Sequence, residues 1–369
     1  MENLPVSTTV AILGFILGAV FGATAQRTNF CTMGSISDMV LMENKNRFRA
    51  WLLTIAIAVL GSQVLFIFGK VDLTKSIYLT TNLGWAGAII GGILFGFGMV
   101  LAGGCGSKTL VRLGAGNLKS LVVALFLGVF AYMTLRGLVG IARLELEGVA
   151  NIELKSATLQ SQGIPDIISS LTGLALPGVR WAVMALFVLG LLWFCFKDQE
   201  FRQSPRDISA GLIIGSLVPI GWYITGVIGH DDFEPTRLAS LTFVAPVGEG
   251  IQYLMTFTGS TINFGIATVG GVITGAFVMA KSRGEFRLES FVDVPDMVRH
   301  MFGGAIMGIG GVMALGCTIG QGITGMSTLA IGSLIAFVSI IGGGILGMKY
   351  FEEGSLIGAI KALCGDRQL

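Results

Sequence analysis

The chain has 369 residues, of which 53% are hydrophobic and 12% charged, about half the charged share of an ordinary soluble domain. The formal net charge is only +2, which implies no polyanionic partner and so no nucleic acid. Five cysteines without Cys-x-x-Cys spacing and only two histidines, His230 and His300, argue against a disulfide framework, a zinc site or another metal centre.

The apolar residues fall into blocks near 8–25, 51–69, 84–103, 118–135, 180–196, 208–228, 261–280, 297–316 and 329–348. Each has about the length a helix needs to cross the hydrocarbon of a bilayer. The expected fold is therefore an all-α polytopic membrane protein of about nine transmembrane helices. Met1-Glu2-Asn3-Leu4-Pro5 carries no positive n-region, so the first block reads as a retained helix and not as a cleaved signal. The long stretch 136–179, with Glu145, Glu147, Glu153 and Asp166, reads as a loop that can hold an interfacial helix. Gly makes up 55 residues, and at that density inside apolar blocks it points to close helix packing and interrupted helices.

Basic residues cluster in short loops. The clusters are Lys45/Arg47/Arg49, Lys197/Arg202/Arg206 and Lys281/Arg283/Arg287, with a fourth stretch Lys108/Arg112/Lys119. The positive-inside rule places all four in the cytoplasm of a cell whose inner membrane holds the chain. Alternating the spans then leaves 70–83, 136–179 and 229–247 outside. The C-terminus, with Lys349, Lys361 and Arg367, comes out cytoplasmic.

An internal repeat organises the chain into one transmembrane domain over 1–369, with halves at about 8–136 and 208–349 linked by 137–207. The segment 91–105, from Gly91-Gly92 to Gly103-Gly104-Cys105, aligns without gaps on 303–317, from Gly303-Gly304 to Leu315-Gly316-Cys317. The first copy runs toward a basic stretch and the second away from one, so the halves are inverted, as in many transporters. Thr28-Asn29-Phe30-Cys31 aligns loosely on Leu241-Thr242-Phe243-Val244. The second copy lacks a cysteine there, and three central thiols are expected.

Each Gly-Cys copy ends an apolar block and leads into small and polar residues: Gly106-Ser107-Lys108-Thr109 and Thr318-Ile319-Gly320-Gln321-Gly322. The helix is expected to break near the Cys. The restarting helix then offers free N–H groups and a positive dipole end, an anion site without a formal charge. For one copy, simple close packing with Cys in a small hole explains the pattern as well; two inverted copies favour a site. Residues 102–109 lack the glycines of a P-loop at Ala102 and Ser107 and follow no strand, and no motif for any other cofactor is present. Arg27 either faces substrate or snorkels to an interface. Cys195, Cys364 and the loop group His230, Asp231 and Asp232 read as bystanders.

The motifs Arg-Thr-Asn-Phe-Cys at 27–31, Gly-Gly-Cys-Gly-Ser-Lys-Thr-Leu at 103–110 and Leu-Gly-Cys-Thr-Ile-Gly-Gln-Gly at 315–322 occur together and in order. In them the sequence resembles the YeeE/YedE family of sulfur-compound transporters, in its thiosulfate-uptake branch. The resemblance covers nearly the whole chain. It implies an inverted helical fold with short re-entrant helices, and central cysteines that carry substrate, which here are Cys31, Cys105 and Cys317. Their motif neighbours Arg27, Asn29, Gly104, Gly106, Ser107, Gly316, Thr318 and Gly320 complete the expected substrate site. It also implies a small cytoplasmic TusA-like sulfur-carrier protein as a partner beside the membrane lipid. Leu315 and Lys108 depart from the family pattern, where Gly is frequent at both. The implied activity is import of thiosulfate or a close relative, relayed by S–H hydrogen bonds to its soft terminal sulfur. The competing readings are a membrane-embedded thiol enzyme, or a complex subunit, processing sulfur or selenium compounds.

Overall fold

The computed structural model describes residues 5–154, 161–231 and 236–364. The chain is helical almost throughout. One two-residue antiparallel pairing joins Asn82–Leu83 to Ile152–Glu153. Eight helices among the described residues are long and apolar enough to cross a membrane. In chain order the first half comprises α1 (Val6–Thr28), α2 (Thr32–Leu41), α3 (Asn46–Ile67), α4 (Trp85–Leu101), α5 (Gly106–Gly114) and α6 (Leu118–Arg136). The linker carries α7 (Val139–Ala150), α8 (Ile164–Thr172), α9 (Leu176–Phe196) and α10 (Gln199–Arg202). The second half comprises α11 (Pro205–Tyr223), α12 (Val244–Met255), α13 (Phe264–Ser282), α14 (Val294–Met313) and α15 (Ile331–Glu353), and α16 (Leu356–Cys364) follows it. The apolar block 297–316 lies largely in α14. That helix is not one of the eight, and it carries Asp296, Arg299 and His300 near its start.

Helices α2, α4, α5 and α6 and helices α12, α14, the segment after Cys317 and α15 begin within a few residues of a constant offset of 212 positions. Their packing partners exchange between the halves. Helix α4 packs on α15 while α14 packs on α6, α1 packs on α13 while α11 packs on α3, and α4 packs directly on α14. A repeat whose copies pack against each other's equivalents in this crossed way is interlocked about an approximate two-fold axis through the α4–α14 contact.

That central contact is made by glycine. A Cβ on Gly91 would stand 2.6 Å from the Gly310 carbonyl oxygen, and one on Gly310 would stand 2.6 Å from that of Gly91. The equivalent pair Gly98 and Gly303 is reciprocal in the same way, at 2.8 and 2.9 Å. The missing side chains let the two backbones touch, as small residues do between membrane helices. The large exposed apolar residues on α9, among them Leu186, Leu189 and Trp193, suit a lipid-facing periphery.

Candidate functional site

Both copies of the Gly-Cys motif end their long helix in the same way. In the first, Ala102, Gly103 and Gly104 donate to Gly98, Val100 and Met99; in the second, Ala314, Leu315 and Gly316 donate to Gly310, Val312 and Gly311. This is the Schellman closure. It requires a left-handed residue, at φ 68° in Gly103 and 57° in Leu315. The chain then turns through the cysteine and becomes helical again at once. Cys105 is the N-cap of α5, and Cys317 directly precedes helical Thr318 and a wide-turned stretch, Gly320–Gly325. A third break has the same outcome. Helix α1 ends on left-handed Asn29, at φ 55°, and Cys31 caps α2 in extended conformation.

Three cysteines thus stand at three helix N-termini. In each, the amide three residues on approaches the sulfur: Gly34 for Cys31, Lys108 for Cys105, and Gly320 for Cys317, at 3.4 Å. A sulfur that accepts from the backbone keeps its S–H free to donate elsewhere. The unpaired amides and the dipoles of these helices make the surroundings of each thiol receptive to negative charge.

The thiols form a file. Cys31 and Cys105 are close enough for their side chains to interact, and Cys105 is a neighbour of Cys317. Cys105 and Cys317 are fully buried, whereas Cys31 is partly exposed. Cys105 Sγ lies 3.3 Å from Ser107 Oγ. Thr318 Oγ1 is buried beside Cys105 and makes no hydrogen bond of normal geometry. Stacked rings of Phe30, Trp51 and Phe337, with centroids 5.2 and 5.9 Å apart, pack near the file. Phe30 adjoins Cys31, and Trp51 comes within 3.3 Å of the Cβ position of Gly322.

A cavity opens toward each end of the file. One, of about 800 Å³, reaches Cys31 and is lined by Asn29, Lys108, Arg47, Arg112, Lys119, Arg287 and Arg299, with Asp38, Glu285, Glu289 and Asp296 among its acids. Three of the four basic clusters therefore meet at one mouth. The cluster of Lys197, Arg202 and Arg206 lies alongside, through the Arg49–Asp198 ion pair at 2.9 Å. On the exposed loop before α14, the Arg283 hydrogen bond holds the Glu285 carboxyl below its usual range. The other cavity, of about 280 Å³, reaches Gly316 and is lined by Tyr78, Trp222, Thr242 and Leu315, with Arg143, Arg237 and Glu249 as its charged residues.

Of the expected site residues, the structure gathers Cys31, Cys105, Cys317, Ser107, Thr318, Asn29 and the four glycines around this file. Gly104 and Gly106 flank Cys105. Gly316 borders the smaller cavity, and a Cβ on Gly320 would meet Thr242 Oγ1 at 2.6 Å. Arg27 stands apart, exposed and without a hydrogen bond or ion pair among the described residues. The helix caps match Cys31 to Phe243, one residue from the loose alignment of the sequences, and the Phe243 backbone bonds to Cys317. Cys195 is remote from the file and donates to the Arg49 carbonyl. The side chain of Cys364, and Asp232, lie outside the described residues. Trp51, Tyr78 and Trp222 carry no motif and were invisible to sequence reasoning. Gln321 sits inside a recognised motif, and its buried amide donates to the Ala314 carbonyl at 2.5 Å.

The sequence profile for sulphur transport matches residues 27–346. The thiosulfate transporter TsuA of Escherichia coli K12 is 26% identical over 335 residues, spanning 85% of this chain and 87% of the relative. That of Spirochaeta thermophila is 29% identical over 323 residues, spanning 86% and 91%. A probable transporter of E. coli K12, YedE, is 33% identical over 102 residues, 27% of this chain and 23% of its own length.

Proposed function

The chain belongs to the sulphur transport family, and on that premise we propose that it imports thiosulfate along the file of Cys317, Cys105 and Cys31. The observation that carries this reading is the stack of three N-cap thiols between a smaller cavity and a large basic one. Thiosulfate is a dianion with oxygens at one end and a soft sulfur at the other. The amides at the helix starts suit its charge, and the S–H groups suit its terminal sulfur. Each thiol hands the ion to the next. Conduction requires that each site bind it weakly enough to let it go. The smaller cavity receives the ion from outside and the basic one delivers it to the cytoplasm, in keeping with the positive-inside rule.

The burial of Cys105 and Cys317 closes the file between the cavities, so passage needs a local movement at the two Gly-Cys hinges. On the cytoplasmic side, a TusA-like sulfur carrier of complementary charge docks over the basic mouth and takes the ion away. The test is uptake of isotopically labelled thiosulfate into liposomes that contain this protein alone. Saturable uptake of intact thiosulfate is expected. Its absence, with the carrier supplied inside as well as without it, would overturn the reading.

A further inference from the structure

The inner end of the thiol file carries a buried cation that no carboxylate among the described residues pairs with. Lys108 is 8% exposed, and its ammonium makes one hydrogen bond, to the Asn29 side-chain carbonyl at 3.1 Å. An ammonium has three N–H donors, so two are left without an acceptor among the described residues. The titratable groups that act on it are the thiols of Cys31 and Cys105 and the guanidinium groups of Arg47 and Arg112. The two guanidinium groups are themselves engaged, Arg47 with Asp38 at 3.3 Å and Arg112 with the Gly103 carbonyl at 2.6 Å. A buried charge without a counter-ion is costly, and here it borders both the file and the basic cavity.

We propose that Lys108 is the charge-selecting residue of the pathway: its two spare donors take the oxygens of a dianion as it passes from Cys105 to Cys31, with Asn29 as the latch that holds the ammonium in place until the ion arrives. This rests on the transport reading above and adds to it the basis on which ions are discriminated. The thiols recognise the soft sulfur, and Lys108 recognises the second negative charge. Asn29 suits the latch because its left-handed backbone, which Asn tolerates, lies at the end of α1 and its amide lines the basic cavity beside Cys31. A neutral acceptor yields to an anion, whereas an aspartate there would keep the lysine for itself.

Methanethiosulfonate, CH₃SO₂S⁻, provides the test. It keeps the terminal sulfur of thiosulfate and replaces one oxygen with a methyl group, so it carries a single charge. Competition of each unlabelled anion against labelled thiosulfate, in liposomes, gives a preference ratio for dianion over monoanion. Lys108→Met should lower that ratio on the order of tenfold, since one partner of a buried charge pair is lost, and Lys108→Arg should keep most of it. Asn29→Asp should lower it too, by neutralising Lys108 without removing it, and it serves if the Met variant does not fold. Wild-type ratios in both Lys108→Met and Asn29→Asp, with thiosulfate uptake intact, would overturn the gate and leave the transport reading standing. Wild-type liposomes that take up no thiosulfate, with the carrier supplied inside as well as without it, would overturn both.

Discussion

In the proposed relay, cysteine carries the chemistry because of where it stands. A thiol at a helix N-cap accepts one backbone N–H and keeps one proton to offer, and Cys31, Cys105 and Cys317 are all so placed. Replacing any of them by Ala removes one weak donor, worth about 1 kcal/mol. The larger loss is a desolvated anion left short of a partner. Uptake is therefore expected to fall on the order of tenfold to a hundredfold, while Cys195→Ala, distant from the file, should leave it unchanged. Ser in place of Cys105 or Cys317 keeps a donor without the soft sulfur and should restore uptake only in part. Initial rates of labelled uptake at matched expression decide the matter; normal rates for both Cys105→Ala and Cys317→Ala would end the relay.

Leu315 allows a second test at this scale. It holds a left-handed φ that its equivalent, Gly103, adopts freely, at a cost of roughly 1 kcal/mol or more for a residue with a Cβ. Leu315→Gly should raise the melting temperature of the detergent-solubilised protein by a degree or two, roughly. Gly103→Ala should lower it, although its added Cβ would meet nothing nearer than 3.6 Å. Equal melting temperatures for both would show that the two hinges store no such strain.

At the scale of helices, the glycine seam between α4 and α14 sets how closely the halves approach. A Cβ on Gly310 would press on the Gly91 carbonyl and the Phe95 amide, each at 2.6 Å. These are backbone atoms that cannot rotate away. Gly310→Ala should cost about 1–3 kcal/mol and lower the melting temperature, whereas Gly342→Ala, with open space around its Cβ, should not. Thermal unfolding in detergent separates them, and a harmless Gly310→Ala would mean that the seam is slack.

Much of this element plan was legible in the sequence, because the Gly-Cys repeat is local and ungapped: the fifteen neighbouring residues of 91–105 or 303–317 set the helix, its closure and its cap. What the sequence hid depends on distant partners. The Asn29–Lys108 hydrogen bond joins residues 79 positions apart, and the ring stack of Phe30, Trp51 and Phe337 draws on the break after α1, on α3 and on α15. No periodicity encodes either. The match of Cys31 to Phe243 was obscured because Phe30 and Phe243 invite alignment by residue type, whereas the helix caps pair positions by geometry.

On the scale of the molecule, charge distribution decides orientation. The basic clusters of four separate segments come together around one cavity and its border, and the proposed orientation puts that face in the cytoplasm, as the positive-inside rule expects. Cysteine introduced at Lys45, Lys197 or Lys281 should therefore resist a membrane-impermeant thiol reagent added to intact cells and react once the membrane is opened. Strong labelling of any two from outside would invert the pathway.

The same face decides how the ion leaves. The cavity border carries Arg47, Arg112, Lys119 and Arg287 beside Asp38, Glu285, Glu289 and Asp296, with Arg47 paired to Asp38 and Lys119 to Asp296. In the proposed delivery step an acidic carrier docks over this mouth, since complementary charge speeds its arrival and its own negative surface weakens the hold of the mouth on the ion. Reversal of Lys197, Arg202 and Arg206 together with Lys281, Arg283 and Arg287 to Glu leaves the file untouched. It should abolish co-purification with a TusA-like carrier and slow carrier-dependent delivery, with a steep salt dependence in the wild type that the variant lacks. A carrier that still co-purifies with the reversed protein binds elsewhere, and the basic mouth would then serve only to draw the anion through.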